Sequence, residues 1–210
     1  MKLQIAMDTL APQELLELFE KVKDCVDIVE LGTPYILQYG VGIIEEIRKI
    51  STNVEILCDA KIMDAGFYEA DELFGRGADY VTVLAVTEHS TLADSVRAAR
   101  KNGKKLVADM ICVRDMKDKM EELEELGVDV IAVHTGVDEQ AMGRTPLDDL
   151  REMKKYSKKA QVAVAGGINY STLDLYKALD PDIVIVGGGI LKAEDPARET
   201  RRLYEAMRSR

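Results

Sequence analysis

The chain has 210 residues, of which 47% are hydrophobic and 31% charged, so we expect one globular domain over 1–210 and exclude disordered, collagen-like and disulfide-scaffold classes. Its 38 acidic and 28 basic residues leave a net charge of −10, and no basic stripe offsets it, which predicts that neither nucleic acid nor membrane is a partner. Asp8 interrupts any apolar signal segment and no stretch could span a bilayer, so the expected location is the cytoplasm.

Short runs rich in Val, Ile and Leu recur along the whole chain, and each is almost continuously apolar. Such runs are typical of strands buried on both faces of a parallel sheet. The eight predicted strands are 3–8, 28–32, 55–62, 80–86, 105–111, 130–136, 161–167 and 183–190. Amphipathic segments lie between them, most clearly at 12–23, 91–102 and 115–126. This alternation predicts an α/β fold, a single compact (β/α)₈ TIM barrel.

An Asp introduces each even-numbered predicted strand, and this repeat supports the assignment. The four positions are Asp27, Asp79, Asp129 and Asp182. They indicate a repeating strand–helix pair, single or doubled. An open doubly wound sheet is the alternative, but it favours a Gly-rich turn after the first strand, where this chain reads Met-Asp-Thr-Leu-Ala-Pro.

Charged side chains end or interrupt several of the apolar strands. In a barrel of this class the catalytic groups lie at the carboxyl ends of the strands, and a carboxylate in an apolar strand is costly unless it is paired or bound to a metal. We therefore predict a site that contains Asp8, Glu30, Asp59, Lys61, Asp109 and His134.

Asp59 and Lys61 lie two residues apart in one predicted strand, so their side chains should point to the same side, and Asp64 can approach the same mouth from the next loop. Acidic neighbours raise the pKa of Lys61 and keep it an ammonium, which favours electrostatic stabilisation over a Schiff base. Glu30 and Asp59, on neighbouring strands, offer the hard oxygen ligands that suit Mg²⁺.

Of the two histidines, His134 ends a strand beside these groups and is the candidate general acid or base, whereas His89 is expected at the surface. The three cysteines are Cys25, Cys58 and Cys112, widely spaced and interpreted as buried core side chains.

Glycine-rich turns follow the last two predicted strands, which is where barrels of this class commonly hold phosphate. We predict that backbone N–H groups bind a phosphorylated small molecule there, although glycines can also serve only as tight turns. The predicted phosphate site consists of Gly166, Gly167, Gly187 and Gly188.

Together these motifs resemble the hexulose-6-phosphate synthases of the orotidine-monophosphate-decarboxylase suprafamily over essentially the whole chain. The resemblance rests on Asp59-Ala60-Lys61-Ile62-Met63-Asp64, with Asp8, Val29-Glu30-Leu31-Gly32-Thr33-Pro34, Val133-His134-Thr135-Gly136, Ala165-Gly166-Gly167-Ile168 and Val186-Gly187-Gly188-Gly189 in this order.

The resemblance implies a Mg²⁺-dependent aldol reaction that joins D-ribulose 5-phosphate and formaldehyde through an enediolate. It implies that His134 is the base, that Asp109 positions His134 or substrate hydroxyls, and that Asp8 holds Lys61 or substrate hydroxyls. It also implies a homodimer with active sites at the interface, in which Asp64 reaches the partner's site.

Three alternatives remain open. The related 3-keto-L-gulonate-6-phosphate decarboxylases carry Glu, Arg, Thr and Arg where this chain has Asp109, Val137, Ala165 and Gly188. A Schiff-base aldolase would use Lys61 as a nucleophile. A barrel that binds a phosphosugar without catalysis would carry the same glycine turns.

Overall fold

The computed structural model describes residues 1–209 and shows a closed barrel of eight parallel strands in sequence order, so the predicted (β/α)₈ fold is confirmed. The last strand pairs with the first, with Leu3 opposite Val184. The strands are β1 Lys2–Ala6, β2 Ile28–Leu31, β3 Glu55–Ile62, β4 Tyr80–Leu84, β5 Lys105–Asp109, β6 Val130–His134, β7 Gln161–Ala165 and β8 Ile183–Val186.

Helices follow every strand and cover the outside of the barrel. They are α1 Pro12–Val22, α2 Thr33–Tyr39, α3 Ile44–Ile50, α4 Gly66–Gly75, α5 His89–Asn102, α6 Met116–Leu126, α7 Val137–Ala141, α8 Leu147–Tyr156, α9 Leu173–Lys177, α10 Gly188–Leu191 and α11 Pro196–Arg208.

Helix α6 shows how local sequence sets these bounds. It begins after Asp115, whose side chain accepts a hydrogen bond from the backbone N–H of Asp118 at 3.1 Å. It ends at Gly127, which adopts a left-handed backbone with φ +76° that glycine tolerates without strain.

The four Asp residues that precede the even strands share one structural role. Each carboxylate accepts a hydrogen bond from a backbone N–H near the start of the preceding odd strand. The pairs are Asp27 with Leu3 at 2.8 Å, Asp79 with Ile56 at 2.8 Å, Asp129 with Leu106 at 2.9 Å, and Asp182 with Val162 at 2.8 Å. The repeating unit is therefore the doubled one, two strands and their helices.

Two apolar layers hold the barrel. The large layer lies between the sheet and the helices and includes fully buried Phe19, Leu15 and Ile47. A smaller cluster, which includes the fully buried Tyr80 and Val130, fills the barrel interior. This interior packing closes the amino-terminal part of the barrel, so open space is left at the carboxyl ends of the strands.

Some sequence-based bounds are wrong by one to four residues, because the ladder stops where the chain turns outward at the barrel mouth. Asp8, predicted to close the first strand, lies two residues beyond β1. Cys112 is not core: it is exposed, in the turn after β5, with a left-handed φ of +64°. Cys58 is buried and Cys25 is partly buried. Within residues 1–209, the helices lack the length and apolar character required to cross a membrane.

Candidate active site

A cavity of about 660 Å³ opens at the carboxyl ends of the strands. Ten of the eleven residues predicted for the site line this one cavity. They are Asp8, Glu30, Asp59, Lys61, Asp109, His134, Gly166, Gly167, Gly187 and Gly188. The acidic and basic groups come from the barrel interior, and the glycines come from the turns after β7 and β8.

Lys61 is held between two carboxylates. Its ammonium donates to Asp59 and lies 3.6 Å from Asp109. Burial alone would lower the pKa of Lys61, but Asp59 and Asp109 outweigh it and hold this pKa above its ordinary value. The amine is therefore charged at neutral pH, as predicted, and is unsuited to Schiff-base chemistry.

The backbone at Lys61 is strained, which the sequence did not reveal. Lys61 adopts a left-handed φ of +48°, and the pairing of β3 with β4 shifts register between Cys58 and Ile62. Thr82 of β4 stabilises this bend: its hydroxyl accepts from the Lys61 backbone N–H at 2.9 Å and donates to Asp59 at 2.7 Å. The side chain thus points into the mouth through an irregular strand.

His134 and Asp109 form a hydrogen-bonded pair at the ends of β5 and β6. The Nδ1 of His134 lies 2.8 Å from Oδ2 of Asp109. Burial raises the pKa of Asp109, yet the His134 hydrogen bond, with Lys61 nearby, lowers it below its ordinary value overall. A charged Asp109 favours the tautomer in which Nδ1 carries the proton, which leaves Nε2 of His134 free to accept one.

Glu30, Asp8 and Asp59 form a cluster of carboxyl groups beside this pair. Burial, then Asp59 and Asp8, raise the pKa of Glu30 from 4.5 to about 8, and burial with Asp59 raises that of Asp8. One Glu30 oxygen accepts from the buried Gln4 amide at 2.6 Å. The other has no hydrogen-bond donor within residues 1–209.

The cluster fits a divalent cation. Five acidic side chains line the cavity with only two lysines among them, so a cation there would relieve the repulsion that disfavours ionised Glu30. Across residues 1–209, no group of three or more His, Cys, Asp or Glu side chains is placed to enclose a metal. Glu30 and Asp59 would therefore share the coordination shell with water or substrate, an arrangement that suits Mg²⁺.

Asp8 is positioned by a close approach to Gly32. A Cβ on Gly32 would lie 1.7 Å from Oδ1 of Asp8, so a glycine at this position lets the Asp8 carboxylate occupy its place. No ion pair joins Asp8 to Lys61 within the part of the chain that the structure describes, so contact with substrate hydroxyls stays the prediction for Asp8.

The two glycine turns meet each other at the far side of the cavity. A Cβ on Gly189 would lie 2.3 Å from the carbonyl oxygen of Ile168, so glycine is required where the turns touch. Among the described residues, no protein acceptor receives a hydrogen bond from the backbone N–H groups of Gly167, Gly188 or Gly189. These N–H groups are available to an anionic ligand.

Asp64 is the predicted residue that the structure places elsewhere. It is exposed, accepts from the backbone N–H of Ala65 at 2.7 Å, and does not line the cavity of its own chain. The next residue, Ala65, adopts a left-handed φ of +51° and precedes α4.

Sequence reasoning missed seven polar residues of the cavity, namely Gln4, Thr33, Thr82, Lys192, Asp138, Gln140 and Asn169. Gln4 holds Glu30, Thr33 donates to the Asp59 carboxylate at 2.9 Å, Thr82 supports Asp59 and Lys61, and Lys192 lies beside the second glycine turn. Thr82 and Gln4 could have been suspected, because each is a polar residue within an apolar strand. His89 is exposed, as expected.

Comparison with known proteins agrees with this geometry. A curated relative, the 3-hexulose-6-phosphate synthase 3 of Staphylococcus saprophyticus, is 45% identical over 210 residues, which is 100% of both chains. The structure of the 3-hexulose-6-phosphate synthase from Salmonella typhimurium has a TM-score of 0.95 at 49% identity and covers 99% of this chain and 98% of that one.

A more distant structure, that of KGPDC from Streptococcus mutans solved as a ligand complex, has a TM-score of 0.89 at 24% identity, covers 98% of this chain and 96% of that one, and shows a shared fold. The model of the orotidine 5'-phosphate decarboxylase / HUMPS family matches residues 1–203. The predicted resemblance is thus confirmed, and the chain belongs to the orotidine 5'-phosphate decarboxylase / HUMPS family.

Proposed function

We propose that this protein is an aldolase that joins D-ribulose 5-phosphate and formaldehyde to give D-arabino-hex-3-ulose 6-phosphate. The observation that carries the proposal is the hydrogen-bonded His134–Asp109 pair, set beside Lys61 and facing the glycine turns across one cavity. The relatives named 3-hexulose-6-phosphate synthase support the same reaction.

The first step removes a proton from C1 of the pentose phosphate, next to the ketone. His134 accepts this proton at Nε2, while Asp109 holds the ring through Nδ1 and stabilises the imidazolium that forms. The electron pair of the broken C–H bond passes into an enediolate. Its negative charge lies near the ammonium of Lys61, which stays protonated because Asp59 and Asp109 flank it.

Glu30 and Asp59 are the residues we assign to Mg²⁺. The bound cation would supply Lewis-acid stabilisation of the negative charge that develops on the substrate oxygens. Thr33 and Thr82 fix the Asp59 carboxylate, and Gln4 fixes that of Glu30, so both would be oriented before a ligand arrives.

The second step forms the new carbon–carbon bond. C1 of the enediolate attacks the formaldehyde carbon, and the formaldehyde oxygen becomes an alkoxide. His134 returns its proton to that oxygen, so the residue ends the cycle neutral and the atoms balance. The glycine turns hold the phosphate at the opposite end, which fixes C1 near His134.

Decarboxylation of 3-keto-L-gulonate 6-phosphate is the second candidate, because it uses a similar enediolate. The cavity wall disfavours it: Val137, Ala165 and Gly188 line the cavity without the polar side chains that the decarboxylase pattern carries there. We expect this reaction to be slow rather than absent.

The active unit we propose is a homodimer in which Asp64 completes the partner's site. Exposed apolar side chains flank Asp64 in the sequence: Met63 is 54% exposed and Tyr68 75%, and Leu37 of α2 is 83% exposed. Such apolar exposure is typical of a surface that is covered in an assembly.

The test is exchange of the C1 proton in D₂O. With Mg²⁺ and ribulose 5-phosphate but no formaldehyde, the wild-type protein should exchange this proton, and His134→Asn should suppress exchange at least about a hundredfold while it retains Mg²⁺ binding. Added formaldehyde should then consume the pentose phosphate. Binding of ribulose 5-phosphate without exchange would indicate a non-catalytic barrel and refute the proposal.

A further inference from the structure

Lys192 lies at the edge of the active-site cavity, where α10 ends. The sequence reasoning assigned it no role, and the mechanism above does not use it. It is exposed, and none of the carboxylates in residues 1–209 forms an ion pair with it. An unpaired ammonium beside a cavity is free to meet a charged ligand.

The charges of the side chains that line the cavity indicate what Lys192 could bind. Among the described residues, the lysine and arginine side chains that line the cavity are Lys61 and Lys192. Lys61 is committed to Asp59 and Asp109. A phosphate dianion that entered a cavity lined by five acidic side chains would otherwise face a net negative wall, so Lys192 is the cation left to attract it.

Helix geometry directs Lys192 onto the glycine turn. The residue lies four positions after Gly188, and its backbone N–H donates to the Gly188 carbonyl at 3.2 Å. Side chains in a helix lean toward the amino terminus, so a residue at i+4 covers residue i.

The distances agree with this direction. A Cβ on Gly188 would lie 3.6 Å from Cε and 3.8 Å from Nζ of Lys192. The ammonium therefore lies beside the Gly188 residue, whose backbone N–H has no protein acceptor in the described residues.

We propose that Lys192 binds the phosphate group of the substrate and supplies the cation that the glycine turns lack. The proposal rests on the proposed function, since it identifies how the same site recognises a phosphosugar. A charged donor next to neutral backbone N–H groups gives a stronger, charge-assisted contact to phosphate than those groups give alone.

The experiment compares the variants Lys192→Met, Lys192→Arg and Lys155→Met. Lys155 is the control, because it is an exposed lysine that does not line this cavity and forms no ion pair within residues 1–209. KM for ribulose 5-phosphate and the dissociation constant of inorganic phosphate, measured by calorimetry, are the readouts. For Lys192→Met we expect both to rise about tenfold to a hundredfold while kcat stays within about threefold. For Lys192→Arg, both KM and the phosphate dissociation constant should remain within about threefold of the wild-type values. For Lys155→Met, both should equal the wild-type values.

Three outcomes separate the two proposals. If the wild-type protein is catalytically active but Lys192→Met keeps its KM and phosphate affinity, only the role of Lys192 is overturned. An equal loss of affinity in Lys155→Met would overturn it as well. Wild-type protein that binds phosphate through Lys192 but exchanges no C1 proton would refute the aldolase and leave Lys192 as the phosphate ligand. Lys192→Gln serves as a second variant if Lys192→Met does not fold.

Discussion

Replacing Glu30 with Gln should stabilise the metal-free protein, and the gain should grow with pH. Glu30 is 7% exposed and lies beside Asp8 and Asp59, so ionising it in the folded chain is unfavourable. Gln has nearly the same shape, can accept the Gln4 hydrogen bond and carries no charge. The substitution therefore removes the electrostatic penalty and keeps the packing.

The size of the effect follows from the pKa of Glu30, which burial and the neighbouring carboxylates raise from 4.5 to about 8. One pKa unit equals about 1.4 kcal/mol, so full ionisation of Glu30 costs on the order of 5 kcal/mol of folding free energy. Between these two pKa values the folded chain binds a proton that the unfolded chain has lost. Wild-type stability should therefore fall as pH rises from about 5 to about 8, and the full cost is present above that range.

The assay is urea unfolding at pH 5.5, 7 and 9 in excess chelator, for wild type, Glu30→Gln and the exposed control Glu121→Gln. Glu30→Gln should exceed wild type by only about 1.4 kcal/mol at pH 5.5 and by on the order of 5 kcal/mol at pH 9, whereas Glu121→Gln should follow wild type throughout. Saturating Mg²⁺ should recover stability in wild type at pH 9 and not in Glu30→Gln. An advantage for Glu30→Gln that is equal at pH 5.5 and pH 9 would refute this electrostatic account of Glu30.

Three further predictions concern the metal, the dimer and the scaffold. Chelation should abolish activity and Mg²⁺ restore it, and Asp59→Asn should weaken Mg²⁺ binding in calorimetry; full activity in excess chelator would contradict the metal assignment. Lys61→Ala and Asp64→Ala, each nearly inactive, should regain partial activity when refolded together, and verified mixed dimers without recovery would contradict a shared site. Asp129→Ala should lower the unfolding free energy by about 1–3 kcal/mol in urea, because the Leu106 N–H loses its acceptor; an unchanged midpoint would contradict that structural role.

The barrel could be predicted from sequence because its determinants are local and repeated. Continuous apolar runs identify strands covered on both faces, and a carboxylate such as Asp129 recurs before each even-numbered strand. The cavity residues could also be predicted, since parallel strands in a barrel bring all their carboxyl ends to one mouth.

The misses depend on backbone direction, which a strand pattern does not contain. The left-handed turn at Cys112 moves its thiol to the surface, although the residue follows an apolar strand. Lys192 can be assigned to the cavity only when Gly188 is known to begin a short helix. The two residues are close because they stand in an i,i+4 relation on that helix.

The most direct test of the central proposal is the ratio of kcat/KM for the two candidate reactions in one preparation with Mg²⁺. Condensation of formaldehyde with ribulose 5-phosphate should exceed decarboxylation of 3-keto-L-gulonate 6-phosphate. A ratio that favours the decarboxylation tenfold, equal to about 1.4 kcal/mol of transition-state preference, would contradict it.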